Sequence, residues 1–166
     1  MGYLVGIPFM AGLAVLQASA LSHLRLLEGR PDLILLAVVG WALTGRGQEA
    51  MFWGFAGGLF LDLVSGMPLG VTSTALVLAA LAVTASEGRF WGAHPLMQLA
   101  AVLAASGILY GVGLLGLLIL GRDLDILRGL GSVMLPGTFL NLLLALPAVQ
   151  LSESLQTFLF PPRVSV

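Results

Sequence analysis

Asp62 is the residue best placed to do chemistry, because it is the only charged side chain between Glu49 and Glu87. An ionisable group in so apolar a stretch is a functional-site candidate by default, with proton or ion handling as its sharpest reading. It stands one turn before the segment SGMPLG at 65–70, however, and this suggests a plainer role. There its carboxylate is expected to accept hydrogen bonds from the free N–H groups that open the following helix, locking the turn. Contact with a partner is the third reading. The other chemical signals are thin. His23 and His94 lie in separate polar links with no carboxylate cluster beside them, and the chain has no cysteine. No HExxH, GxSxG, phosphate loop or metal-spaced cluster occurs. Catalytic, cofactor-binding and metal-ligating residues are therefore expected to be absent, since an enzyme needs a nucleophile, a base and an orienting group brought together.

Three amides, Gln17, Gln98 and Asn141, stand inside apolar segments. An amide left unpaired there pays a desolvation cost, so each is expected to face inward or toward a partner helix. Such interhelical bonds are worth about 1 kcal/mol apiece and act as structural glue. Two pairs of glycines, Gly54 with Gly58 and Gly107 with Gly111, are spaced four apart. That spacing puts both members on one helix face and lets another helix approach closely. The first pair is expected to pack inside the molecule, the second to line a groove for a partner.

The elements that carry these residues follow from hydropathy. The chain has 166 residues, of which 58% are hydrophobic and 9% charged, with a mean hydropathy of +1.04. A soluble domain carries roughly a quarter charged residues, and a chain of this size cannot hide so much apolar surface within itself. Lipid is expected to cover the remainder. The net charge of −1 and seven scattered arginines exclude a nucleic-acid surface and a polybasic lipid-binding patch. The N-terminus lacks the charged region and cleavage site of a removed signal peptide, and reads as a retained span.

Charges and turn residues divide the chain into about six membrane helices, forming one compact all-α domain over 1–166. They are expected near 3–22, 31–45, 49–65, 69–86, 95–120 and 131–151. Pro31 and Asp32 suit the first turn of the second helix, and Ser65, Gly66, Pro68 and Gly70 form the turn between the third and fourth. The link GRDLDILRG, from Gly121 to Gly129, is expected to make a short interfacial helix of its own. Trp41, Trp53 and Trp91 fall near helix ends, where interfacial anchors stand. Helices two to four are short for a bilayer, so either the membrane thins or the protein shields their ends. Orientation is undecided, because four arginines (25, 30, 122, 128) fall on one side and three (46, 89, 163) on the other. An even number of spans puts both termini on the same side.

The ordered motifs carry a family resemblance. Gln17-Ala18-Ser19, Pro31-Asp32-Leu33, Trp41-Ala42-Leu43 before Gly45-Arg46-Gly47, and above all the run from Gly58 to Gly70 with its Asp62-Leu63-Val64-Ser65-Gly66-Met67-Pro68-Leu69-Gly70, resemble the bacterial rod shape-determining protein family MreD. Leu135-Pro136 followed by Asn141 fits the same pattern. The resemblance implies a non-enzymatic scaffold of the elongation machinery in the bacterial cytoplasmic (inner) membrane. It would help to direct lateral peptidoglycan synthesis and rod shape, with both termini in the cytoplasm. The implied direct partner is MreC, with MreB, RodA and a class B penicillin-binding protein in the wider assembly. The family is also similar to the substrate-binding subunits of energy-coupling-factor transporters, so a vitamin-binding subunit is the competing expectation. Such a subunit needs a polar cavity, for which helices five and six offer mainly Gln98, Tyr110 and Asn141.

Overall fold

The computed structural model describes residues 2–19, 28–86, 94–122 and 125–160. Among them every regular element is a helix: α1 (Gly2–Ser19), α2 (Leu33–Leu43), α3 (Gly47–Ser65), α4 (Val71–Ser86), α5 (Pro95–Ile119) and α6 (Ile126–Leu159). His23 and Trp91 fall outside the described residues.

The organising element is α2. Its sequence LILLAVVGWAL has no polar face, and a helix that is apolar all round belongs in an interior. It packs against each of the other five helices, and Ile34, Leu35, Val38, Val39, Trp41 and Ala42 are inaccessible. At 11 residues it is only about 16 Å long, so neither end reaches far, and protein closes over both.

Against it α3 and α4 form the closest helix pair. A Cβ on Gly54 would stand 3.2 Å from the backbone of Leu76, and one on Gly58 would run into the Ser73 backbone. Both positions must be bare for the two helices to sit at this distance. Gly57, on a neighbouring side of α3, fits against Ile34 and Met10.

The outer helices are α5 and α6. Both are long and apolar enough to cross a membrane, and only 17% and 28% of their most apolar stretches are buried. A core helix of a soluble protein would be mostly covered. Here Leu103, Leu115, Leu118, Leu135, Leu143 and Leu151 all stand exposed, an outward apolar coat that suits hydrocarbon surroundings.

Two expectations need correction. The short helix expected in the Gly121–Gly129 link is present at Ile126–Gly129 but continues into the last helix, which therefore begins before Gly131. Asp125 supplies an N-cap, its carboxylate accepting from Arg128 N–H at 3.1 Å, and the chain enters α6 at once. The first turn, Ile126–Gly129, runs through a π-helical turn at Leu130–Met134 into the α-helix Leu135–Leu159. The tryptophans also differ. Trp41 and Trp53 are 0% and 1% exposed, stacked with centroids 4.2 Å apart, so neither anchors an interface. Nearness to the end of so short and central a helix leaves a ring in the core, and Trp41 Nε1–H finds its acceptor in Glu49 at 3.1 Å.

Candidate functional site

Polar side chains from four helices meet at the N-terminal end of α2. Its first N–H groups have no intrahelical partner and, in an apolar interior, would be costly if left bare. Gln17 of α1 offers Oε1 to the N–H groups of Leu33 and Ile34 at 2.8 and 3.3 Å. Asp32 caps Leu35 N–H at 2.9 Å, and its own N–H donates to Asn141 Oδ1 of α6 at 2.7 Å. Asn141 is fully buried and passes its Nδ2–H to Ser106 Oγ of α5 at 3.2 Å. Gln17, Asp32 and Asn141 are thus brought together. Gln98 is not with them; it is half-exposed in the first turns of α5. Replacing Asn141 with leucine removes an acceptor from Asp32 N–H and should lower stability by about 2 kcal/mol. Thermal unfolding of the purified protein in detergent measures this, and a variant melting with its parent would show that the bond contributes no net stability.

A second polar knot ties α3 to α4. Asp62, 2% exposed, accepts from Gly70 N–H at 2.8 Å and from Thr72 N–H at 3.1 Å through its two carboxylate oxygens. Gly66 ends α3 at φ +70° and Gly70 turns into α4 at φ +96°, left-handed conformations open to glycine at little steric cost. Pro68 contributes its carbonyl to Val71 N–H at 3.2 Å. Ser65 stands exposed at the rim of the neighbouring cavity.

That cavity, of about 400 Å³, lies between α3, α4, α5 and the opening turns of α6. Gln17, Asp32, Ser65, Thr72, Tyr110 and Asp125 supply its polar wall, and leucines, methionines and valines most of the rest. Asn141 and Gln98 do not line it.

At the opposite end of α2, the Arg46 guanidinium bonds Glu49 at 3.1 Å and lies 3.4 Å from the centroid of the Phe160 ring. Gln156 of α6 donates there to the Thr44 carbonyl at 3.3 Å. His94 caps α5, its Nδ1 accepting from Leu96 N–H at 3.4 Å. Sequence reasoning passed over Ser106, whose only signal was a hydroxyl flanked by apolar runs, and gave no bonding role to Glu49 or Asp125, which stand in polar links.

The two glycine pairs part company. The Gly54 and Gly58 face is filled by α4, whereas Gly107 and Gly111 have nothing among the described residues within 4 Å of where a Cβ would stand. Ala100 and Ala104 continue this bare stripe, and all four are exposed. Gly111 floors an open groove of about 640 Å³ between α4 and α5, walled by Leu78, Leu81, Ile108 and Leu115. Among the described residues no group of three or more histidine, aspartate or glutamate side chains is arranged to hold a metal.

A family model described as rod shape-determining protein MreD matches residues 1–155 of the chain. No curated protein and no solved structure matches it significantly.

Proposed function

Because the chain belongs to the MreD family, we propose that it is a helical platform in the bacterial cytoplasmic membrane that docks the membrane helix of a partner, MreC foremost. The family is one of cell-shape proteins of the membrane and not a known enzyme family. In this reading all six helices lie in the bilayer with both termini in the cytoplasm. MreB, RodA and a class B penicillin-binding protein join through the wider assembly that directs lateral peptidoglycan synthesis.

One observation carries the proposal: of two equivalent glycine pairs, the one on α5 has no helix of the described residues on it. Between helices in lipid, close van der Waals packing replaces the hydrophobic effect, and small residues permit it. A groove floored by Gly111 and walled by aliphatic side chains is the shape that accepts one more apolar helix. The direct test is co-purification from membranes. Gly107→Leu with Gly111→Leu should reduce recovery of MreC about tenfold or more, the effect of losing roughly 1.4 kcal/mol or more, while melting in detergent stays at the parent value. Undiminished recovery would remove the groove as the docking face.

A further inference from the structure

The cavity beside Asp32 has no part in that docking scheme, and its wall has a chemistry of its own. A volume of about 400 Å³ falls within the range of small-molecule sites, roughly 300–1,000 Å³. Along α5 it runs from Leu109 to Leu117, about 12 Å of helix. Among the described residues its wall carries two carboxylates, Asp32 and Asp125, and no arginine or histidine. Asp32 is half-buried and, among the described residues, is in no ion pair. A carboxylate held in apolar surroundings is stabilised by a cation that also donates hydrogen bonds. Gln17, Tyr110 and Thr72 line the same cavity as further polar groups, while Leu61, Leu114 and Met134 offer flexible apolar walls. The π-helical turn of α6 contributes Val133 and Met134 to the same wall, and such turns are frequent at functional sites.

We propose that this cavity binds an amphiphile with an ammonium group, its positive end against Asp32 and its apolar body along α5 between Leu109 and Leu117. The ammonium supplies the missing counter-charge, and the aliphatic wall takes the rest of the molecule. The shared chemistry, a protonated amine on an apolar tail, occurs in an ethanolamine lipid headgroup and in free alkylamines alike.

The probe is n-octylammonium, compared with n-octanol and n-octanoate, titrated into the full chain in phosphatidylcholine nanodiscs with empty discs subtracted. Octylammonium should bind about tenfold more tightly than octanol, the worth of one charge-assisted hydrogen bond, and octanoate more weakly than either. Asp32→Asn keeps an oxygen to cap Leu35 N–H and should erase the preference for the ammonium. Gly113 provides a second variant that leaves Asp32 in place. A Cβ there meets only Met67, at 4.0 Å, so Gly113→Leu grows into the cavity and should abolish binding of octylammonium above the empty-disc level. Equal binding of the three probes, or a preference unchanged by both variants, overturns the proposal. In phosphatidylethanolamine discs, suppressed octylammonium binding identifies the lipid headgroup as the occupant; undiminished binding identifies a free amine. Either result supports the site.

Discussion

Gly58→Ala should lower the stability of the bundle by about 3 kcal/mol, the upper end of the usual range for overpacking, although it adds a single methyl group. That methyl would have to occupy the space of the Ser73 backbone N and Cα, and backbone cannot rotate aside as a side chain does. Relief requires α3 and α4 to separate along their length, which also opens the close packing of Gly54 on Leu76. Gly107→Ala and Gly111→Ala supply the control, since their added methyls point into open space; these variants should melt with the parent or slightly above it, alanine being the better helix former. Unfolding temperature and monodispersity in detergent read out both arms. If all three substitutions behaved alike, close approach of α3 and α4 would not be what holds the pair.

Asp62→Ala should rank beside it, at about 3 kcal/mol. The carboxylate serves two buried or half-buried N–H groups, those of Gly70 and Thr72, and each donor stripped of its acceptor costs about 1–3 kcal/mol. Asp62→Asn should fall between parent and alanine, because the amide oxygen still serves one donor while its NH2 faces the other. Proteolysis within 66–70 should rise in the same order. A different result would revive the alternative held open for this residue: full stability and intact assembly with MreC, together with loss of a proton-coupled activity, would make Asp62 a chemical group instead of a structural one.

How far the architecture is legible in the sequence depends on the distance between partners. The surroundings of Asp62 are readable because Gly70 and Thr72 lie within ten residues of it, and glycine and proline between them announce a turn. The spacing of Gly54 and Gly58 marks a close-packed face for similar reasons. Asn141 is another matter. Its polarity said that it needed a partner, but Asp32 is 109 residues away in the chain, and nothing local connects them. Trp41 and Trp53 were misplaced by a rule that presumes each helix crosses the bilayer alone; α2 is buried by its neighbours, and so are Trp41 and its stacked partner. Glycines pose the converse problem. Gly58 and Gly111 look alike in sequence, and only the tertiary arrangement distinguishes a face already filled from one left open.

The way α2 is closed bears on the order in which the molecule can be completed. The Asp32 N–H at its head is satisfied by Asn141 and the Thr44 carbonyl at its end is tied down by Gln156, through contacts spanning 109 and 112 residues. A ribosome that has delivered only the first five helices therefore leaves the central one without either of these ties, shorter than the hydrocarbon layer around it. The C-terminal segment works as the keystone of this assembly. Biogenesis has to hold the early segments together, by the insertion machinery or by their own packing, until that segment is synthesised and slots home.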